Sequence, residues 1–288
     1  MTSTYKKKFI VFLVAGMSSR FQSNIPKQFA IVGPENEPLI EFSVKQACKQ
    51  PFDEIIFVTN PLTRHLFENL FGDTYLNRSV HYIDQYYDKT KRTRPWGTTD
   101  AICSLRSFYS SSSSSNIFVI INGDDLYGFS AFSRLMKHLS TDSTKNYIGG
   151  LAVKKTIVSD APVNRGIISV ETQSKTESSK SKPLLVKKIY EKLNLTRNDF
   201  DFLDEIANVN FLCLQEETIR ALDKLLQQFQ LENENDPKIE CFITSSLFEL
   251  IQNKSLELYF FRLNENVEGI TFQHDVPILK EKLKKKMN

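Results

Sequence analysis

A short polar stretch, "GMSSRFQSNIPK" (16–27), contains residue types that bind phosphate groups. Arg20 supplies a planar guanidinium that matches phosphate oxygens, and Lys27 supplies a compact positive charge after the turn at Pro26. Gly16 lets the backbone approach a ligand closely, and exposed amides in such a loop form a concave site for phosphate. The stretch lacks the glycines of a Walker A loop or a dinucleotide-binding fingerprint. On residue types alone, an anion-binding loop and a solvated polar loop both stay open.

Two adjacent carboxylates, Asp124 and Asp125, lie in "NGDDLYG" (122–128), directly after the apolar run "IFVII" (117–121). Crowded carboxylates repel each other unless a cation or solvent neutralises them. Magnesium binds a few carboxylates together with phosphate oxygens, so the pair is a candidate metal site. The alternative is an Asx turn shaped by Asn122 and the glycine after it.

A third stretch, "RPWGTTDAI" (94–102), precedes a predicted helix. Gly97 allows the backbone to approach a planar ligand, Thr98 or Thr99 can cap the helix, and a helix N-terminus favours anions. The alternative is an apolar plug formed by Trp96 beside the cap. The residues alone do not separate these two interpretations.

The elements that position these stretches alternate between strands and helices. Continuous apolar, β-rich segments predict buried strands at 9–15, 54–59, 79–83 and 117–121. Helical patterns fall between them at 38–50, 60–71 and 97–109, the second with Asn60 as cap and Pro61 as first residue. This order predicts an α/β fold with a parallel sheet covered by helices, whose ligands bind beyond the carboxyl ends of the strands.

The second half of the chain changes character. Strands are predicted at 147–154, 166–171, 184–190, 207–214 and 256–261, and helices at 216–229, 240–251 and the C-terminus. The pattern predicts one domain over 1–288, in which a parallel half (1–145) is followed by a half (146–288) that adds antiparallel strands. The serine run at 110–115 and the polar stretch at 171–183 are predicted surface loops.

Composition excludes several classes of protein. The net charge of +3 over 288 residues gives no case for a nucleic-acid partner. No apolar run reaches the roughly 20 residues of a membrane helix, which argues against a membrane partner. The basic, apolar start at 5–19 also resembles an export signal, but its short, strand-forming core favours a buried strand. The four scattered cysteines are predicted to be reduced, buried thiols in a cytoplasmic protein.

Three stretches in this order resemble the nucleotidyltransferases that activate sugar 1-phosphates and related phosphates. "LVAGMSSRFQSNIPK" (13–27) resembles the family's signature L-A-A-G-x-G-x-R followed by P-K. Residues 84–102 resemble its glutamine and G-T-x-x-A segment, and "VIINGDDLYG" (119–128) resembles the strand with its metal-binding aspartate. Weaker matches continue through "VNRGIISVE", "KKIYEK", "NVNFLCL" and "VEGITFQHD". The resemblance implies a GT-A-like Rossmann fold with a mostly parallel central sheet flanked by helices and a mixed, antiparallel extension on the acceptor side.

The resemblance also implies roles for individual residues. Arg20 and Lys27 are the implied catalytic cations, which neutralise the triphosphate. The implied nucleotide-binding residues are Val14, Ala15, Gly16, Met17, Ser18, Ser19, Gln85, Gly97 and Thr98. Asp124 is the implied Mg²⁺ ligand, with a second metal contact at Asp275 or Thr271. The implied acceptor-binding residues are Asp125, Gly166, Glu191 and Asn210, with Asn208 as the alternative to Asn210.

The implied reaction transfers a nucleoside monophosphate from a nucleoside triphosphate to a sugar 1-phosphate or a similar phosphate acceptor, releasing pyrophosphate. The sequence does not specify whether the base is uracil, thymine or cytosine. It also does not specify whether the protein forms a homo-oligomer. Ser18 replaces a family glycine, so its Cβ is expected to crowd the phosphates. Because the acceptor half (146–288) diverges from the family pattern, phosphocholine-type acceptors stay an alternative. The alternatives are a GT-A-type glycosyltransferase and a non-catalytic nucleotide-binding regulator.

Overall fold

A mixed ten-stranded sheet forms the centre of the protein. The structure is a computed structural model, and it describes residues 6–16, 21, 25–110, 115–157, 162–171, 182–270 and 272–287. The strands of this described part are β1 (Lys8–Leu13), β2 (Glu54–Thr59), β3 (Thr74–Tyr75), β4 (Arg78–Asp84), β5 (Ile117–Asn122), β6 (Asp125–Leu126), β7 (Asn146–Ala152), β8 (Val163–Val170), β9 (Leu184–Leu195), β10 (Ile206–Gln215), β11 (Leu258–Arg262) and β12 (Glu268–Gly269). The helices are α1 (Leu39–Ala47), α2 (Arg64–Phe71), α3 (Thr98–Cys103), α4 (Phe129–Thr141), α5 (Glu216–Glu232), α6 (Ile243–Gln252) and α7 (Asp275–Met287).

The first half of the chain builds a parallel block in the order β4-β2-β1-β5. Along β1, Phe9 and Val11 face one hydrophobic cluster, and Ile10 and Phe12 face the other, because successive side chains alternate across a strand. Helices α3, α5 and α6 cover the first cluster, and α1, α2 and α4 cover the second. Burial on both faces explains why these strands read as continuous apolar runs, and the predicted α/β fold is confirmed.

The second half extends the same sheet with mixed strands. β10 runs antiparallel to both β5 and β7, β11 runs parallel to β7, and β8 and β9 form an antiparallel pair. The full order is β3-β4-β2-β1-β5-β10-β7-β11-β9-β8, and β6 and β12 form a separate two-stranded sheet. The predicted antiparallel extension is therefore present.

Local predictions failed where polar residues compete for the backbone. Helix α2 begins at Arg64 and not at Pro61, because Asn60 Oδ1 accepts the Leu62 amide at 3.0 Å and shapes a turn before the helix. At α3, neither threonine side chain caps the helix; Gly97 occupies the cap position, and Thr99 Oγ1 lies 3.0 Å from Ser246 Oγ.

One α-helix of the described structure was not predicted at all, nor were the two-residue strands β3, β6 and β12. Helix α4 follows Gly128, whose φ of 77° lies in the left-handed region, and its apolar residues lie on one face. Its sequence, "FSAFSRLMKHLST", has apolar residues at helical spacing, which is typical of an amphipathic helix. The predicted loop tips at 111–114 and 172–181 lie outside the described residues.

The four cysteines are buried and free, as predicted from their apolar neighbours. Within the described ranges, no helix has both the length and the apolar composition that a membrane crossing needs.

The aromatic cluster around Phe57 generates a stability prediction. Phe57 is fully buried and contacts the rings of Phe12, Phe67, Phe71 and Tyr82. Phe57→Ala should lower the free energy of unfolding by about 3–5 kcal/mol, because it removes buried apolar area and leaves a cavity. Urea unfolding monitored by circular dichroism measures this loss.

The matched control is Phe200→Ala, since that ring is 76% exposed. It should change the free energy of unfolding by less than about 0.5 kcal/mol. Equal losses in the two variants would contradict the assigned core.

Candidate active site

The first and second chemical motifs meet at the carboxyl ends of β1 and β5. The Gly123 amide donates to the Leu13 carbonyl at 3.0 Å, which holds the two strand ends together. Lys27, in a 3₁₀ turn (Lys27–Phe29), forms an ion pair with Asp124 Oδ2. Their side chains are only 17% and 24% exposed, so water screens this pair less than a surface pair. The structure therefore brings together two residues 97 positions apart that the resemblance places in one site.

The end of β1 leaves open space beside this ion pair. Val14 is buried, its amide donates to the Val58 carbonyl at 2.9 Å, and Ala15 is also buried. A Cβ added at Gly16 would meet no atom within 4 Å in the described structure, so packing does not require a glycine there. Four other predicted residues of this loop lie outside the described residues: Met17, Ser18, Ser19 and Arg20.

Packing requires a glycine at position 123, which sequence reasoning assigned only to a turn. A Cβ there would lie 2.2 Å from the Val14 side chain and 3.3 Å from the Leu13 carbonyl oxygen. The close approach of the two strand ends thus depends on Gly123. It places Asp124 directly across from Lys27.

The two neighbouring carboxylates have different environments. Asp124 pairs with Lys27, whereas Asp125 Oδ2 accepts a hydrogen bond from Asn122 Nδ2 at 2.9 Å. A Cβ at Gly269 would lie 2.3 Å from Asp125 Oδ1, so β12 packs directly on this carboxyl group. Burial, and then the nearby charge of Asp124, raise the pKa of Asp125 to about 7. Crowding is therefore relieved by pairing one carboxylate and by favouring the protonated form of the other.

A bulge in β10 carries the predicted acceptor residue Asn210. The register of β10 against β7 shifts between Asn208 and Phe211, and Asn210 has a φ of 54°. The Asn208 side chain holds this conformation, since its Oδ1 accepts the Asn210 amide and its Nδ2 donates to Asn210 Oδ1, both at 2.9 Å. Asn210 Nδ2 in turn lies 3.4 Å from Asn122 Oδ1. Both asparagines left open by the sequence are thus in one network.

The remaining acceptor-side residues continue this network. Gly166 in β8 pairs with Glu191 in β9, and a Cβ at Gly166 would lie 2.7 Å from the Thr244 methyl group and 3.3 Å from Asn208 Cβ. Thr244 Oγ1 donates to Glu191 Oε1 at 2.6 Å. Close contacts therefore run from the half-buried Asp125 to Glu191.

Gln85 and Gly97, the residues predicted to meet a nucleobase, also lie together. Gln85 is buried, and its Nε2 donates to the Gly97 carbonyl at 3.0 Å and to Asp100 Oδ2 at 2.7 Å. Gly97 has a φ of 96°, and a Cβ there would lie 2.8 Å from the Cys241 carbonyl oxygen. Burial raises the pKa of Asp100 despite the hydrogen bond from Gln85. Asp100 therefore orients the Gln85 amide, a role that sequence reasoning missed.

Trp96 and Thr98 flank this glycine. The indole of Trp96 stacks on the Arg92 guanidinium at 3.3 Å and meets the Phe229 ring edge-on. Trp96 thus packs beside the start of α3, and both interpretations of this stretch stay open. Thr98 is the first residue of α3.

The proposed second metal contact lies at the start of α7. Asp275 Oδ2 accepts the Phe272 amide at 2.8 Å, which is the geometry of a helix cap, and Asp275 Oδ1 lies 3.5 Å from His274 Nε2. The alternative, Thr271, is not among the described residues. Within the described ranges, no group of three or more His, Cys, Asp or Glu residues could hold a metal ion.

The donor set nevertheless fits a magnesium ion that brings most of its ligands with it. Magnesium uses one or two carboxylates and completes its coordination with water and substrate phosphate. Asp124 is one such carboxylate, and the ammonium group of Lys27 already stands against it as a cation. The site fits a metal that arrives with phosphate better than a preformed cage.

The raised pKa of Asp125 generates a prediction about pH. The group binds its proton more tightly in the folded chain than in the unfolded chain, where the pKa is about 4. Its contribution to stability is therefore complete below pH ~4 and is lost as the pH rises through about 7. Asp125→Asn, which mimics the protonated form, should gain stability relative to the wild type between pH 5 and pH 8.

Thermal unfolding of both proteins across this pH range measures the difference. Glu35→Gln, at a side chain that is 80% exposed, is the control and should show no such trend. A difference between Asp125→Asn and the wild type that stays constant with pH would contradict the assignment.

Solved structures share this fold over nearly the full chain. UDP-glucose pyrophosphorylase from Acinetobacter baumannii superposes with a TM-score of 0.68 at 18% identity, covering 96% of this chain and 92% of that chain. Inositol-1-phosphate CTP transferase from T. maritima gives 0.63 at 15% identity, covering 97% and 96%. A putative glucose-1-phosphate thymidylyltransferase from Bacillus anthracis gives 0.67 at 12% identity, covering 97% and 95%. At these identities the likeness shows the fold alone.

No curated protein matches the sequence significantly. The family model described as "Nucleotidyl transferase" matches residues 11–264, a span that includes Lys27, Asp124, Gln85, Glu191 and Asn210. Since this match covers most of the chain, the protein belongs to the nucleotidyl transferase family.

Proposed function

We propose that the protein transfers a nucleoside monophosphate from a nucleoside triphosphate to a phosphorylated polyhydroxyl acceptor, such as a sugar 1-phosphate, and releases pyrophosphate. The supporting observation is the ion pair of Lys27 and Asp124 after β5. The adjacent Asp125 is joined through Asn122 to the acceptor-side asparagines. The similar structures include pyrophosphorylases and nucleotidyltransferases that are named for such substrates.

In the proposed reaction, a phosphate oxygen of the acceptor attacks the α-phosphorus of the nucleotide. One P–O bond forms, the bond to the β-phosphate breaks, and its electron pair leaves with pyrophosphate. The attacking oxygen is already anionic near neutral pH, so no general base is required. The barrier is electrostatic, because two anions must meet and a more highly charged group must leave.

The residues of the chain address this barrier by positioning and charge. Lys27 exchanges Asp124 for the phosphate oxygens and stabilises the leaving pyrophosphate. Asp124, released from Lys27, is the residue that would hold magnesium. When bound there, the ion supplies positive charge to the phosphate oxygens. Gln85, oriented by Asp100, and the backbone at Gly97 position the base.

The acceptor side favours hydroxyl groups over a quaternary ammonium group. Asn208, Asn210 and Thr244 offer amide and hydroxyl groups, and Glu191 offers a carboxylate acceptor. Such groups pair with the hydroxyls of a sugar or polyol. A choline headgroup is instead held by aromatic rings, and these four residues supply none.

A screen for pyrophosphate release tests the proposed function. The protein is incubated with Mg²⁺, each common nucleoside triphosphate and a panel of sugar 1-phosphates, inositol 1-phosphate and phosphocholine. We expect pyrophosphate from at least one nucleotide with a polyol phosphate, and none from phosphocholine. Saturable nucleotide binding without pyrophosphate release from any pair would contradict the proposal and support a regulatory protein. Release of free nucleoside diphosphate from a nucleotide sugar would indicate a glycosyltransferase.

The ion pair predicts the effect of removing Lys27. Lys27→Ala should lower kcat about 10²–10³-fold, because one preorganised charge is lost where charge builds up in the transition state. Steady-state pyrophosphate release measures the change. Lys224→Ala, at an exposed position of α5, is the control and should retain wild-type turnover. Normal turnover in Lys27→Ala would refute the role of Lys27.

Metal binding to the nucleotide-free protein provides a second readout on the same variant. Removing Lys27 removes the cation that competes for Asp124, so the affinity for Mg²⁺ should rise about fivefold, equivalent to ~1 kcal/mol. Asp124→Asn should abolish this binding. Isothermal titration calorimetry measures both. An unchanged affinity in Asp124→Asn would show that Asp124 is not the metal ligand, and an unchanged affinity in Lys27→Ala would show that Lys27 does not compete with the ion.

A further inference from the structure

A second cavity, of about 800 Å³, opens between helix α4 and the starts of strands β7 and β11. Its lining residues are Ser130, Ser133, Arg134, Lys137, His138, Thr141, Asp142, Lys145, Tyr147, Lys182, Pro183, Tyr259 and Asn264. β7 runs in the same direction as β5, because each is antiparallel to β10. Tyr147, near the start of β7, therefore lies at the sheet edge opposite Asn122, the last residue of β5. None of the lining residues belongs to the candidate active site.

The cavity carries a concentrated positive charge. Arg134, Lys137, Lys145 and Lys182 line it, against the single carboxylate of Asp142, which leaves a formal charge of +3. Asp142 lies 3.4 Å from Lys145, and one guanidinium nitrogen of Arg134 donates to Asn264 Oδ1 at 2.8 Å. A guanidinium has five N–H donors, so Arg134 keeps further donors for a ligand. Four cations around one cavity suit an anion.

Two buried polar atoms, one in each of two residues that line this cavity, lack hydrogen bonds in the described structure. They are His138 Nε2 and Ser130 Oγ, and the His138 residue is only 9% exposed. The imidazole lies between the rings of Tyr147 and Phe261, with centroids 5.7 Å away in both cases. A buried polar group without a partner costs about 1–3 kcal/mol, so its persistence requires an explanation. A ligand oxygen in the cavity would supply the missing partner once the side chain turns toward it.

Helix α4 collects these groups on one side. Residues 130, 134, 137, 138 and 141 follow helical spacing, so they share a face of α4 that looks toward Tyr147 and Tyr259. Burial, and then the charges of Arg134 and Lys137, lower the pKa of His138. The neutral imidazole has one N–H group, which can donate a hydrogen bond to an anion. The neighbouring cations then balance the charge of the anion.

We propose that this cavity is a binding site for a di- or polyphosphate group, either free pyrophosphate or the phosphate chain of a nucleotide. The formal charge of +3 matches these ligands better than it matches a single phosphate. Arg134 and Lys137 bind the phosphate oxygens, with Lys145 and Lys182 at the rim, and the His138 ring turns so that Nε2 donates a hydrogen bond to the ligand. The site is separate from the catalytic cleft and does not depend on the proposed reaction.

The four histidines of the chain provide a direct test by nuclear magnetic resonance. The full chain, labelled with ¹⁵N in its imidazole rings, is titrated with pyrophosphate without Mg²⁺, and sodium chloride keeps the ionic strength constant. We expect the His138 signal to shift saturably, while the signals of His65, His81 and His274 stay in place. His138→Gln assigns the signal.

A double variant identifies the residues responsible. Arg134→Gln with Lys137→Gln should raise the pyrophosphate Kd read from His138 at least tenfold, because two charge-assisted contacts are lost. Lys224→Gln, on α5, is the matched control and should leave the Kd unchanged. Lys27→Ala should also leave it unchanged, which separates this cavity from the catalytic cleft.

Parallel titrations with inorganic phosphate and with a nucleoside triphosphate distinguish the ligand. If the triphosphate saturates the His138 shift at a lower concentration than pyrophosphate does, the site binds nucleotides. If pyrophosphate saturates it at the lower concentration, the site binds pyrophosphate. Inorganic phosphate should bind more weakly than both. A linear, non-saturating shift, a common shift of all four histidines, or an unchanged Kd in the double variant would overturn the proposal.

Discussion

The ion pair between Lys27 and Asp124 is the contact on which the candidate active site depends. It links the 3₁₀ turn at Lys27 to Asp124, which follows β5 at the edge of the sheet where ligands bind in open α/β folds. Both side chains are mostly buried, so each charge would be costly without the other. An arriving anion and a divalent cation can replace this pair by satisfying each partner separately. The structure thus already places one positive and one negative side chain where a phosphate group and a metal ion would each find a partner.

The second carboxylate of the motif connects this pair to the acceptor side. Asp125 is held against Asn122 and Gly269, and Asn122 contacts Asn210 on the bulge of β10. The amide groups of two asparagines and a carboxyl group with a raised pKa therefore lie next to the charged pair. A hydrogen-bonding surface of this kind can recognise hydroxyl groups without adding charge next to the phosphates. The same backbone bulge that breaks the ladder of β10 provides the position of Asn210.

Much of the fold could be predicted from the periodicity of the sequence. The parallel strands read as continuous apolar runs because both faces are covered, and β2 has the predicted bounds, 54–59. Predictions failed where a polar side chain competed for backbone groups, as at Asn60, or where a helix followed a glycine in the left-handed region, as at Gly128. Neither the register of β10 nor its bulge could be predicted, because both depend on packing against β5 and β7.

The sequence by itself determined which residue types could bind phosphate and a metal ion, and the order of elements that would carry them to one edge of a sheet. Its local motifs led to Lys27, Asp124, Gln85 and Gly97 as predicted site residues. Only the tertiary structure decided that Asp125 is half-buried with a raised pKa, that Asp100 orients Gln85, and that Asn208 supports Asn210. It also decided that cations from α4 and two later segments surround His138. These features arise from contacts between distant segments, so burial and charge at each site depend on packing that no local pattern specifies.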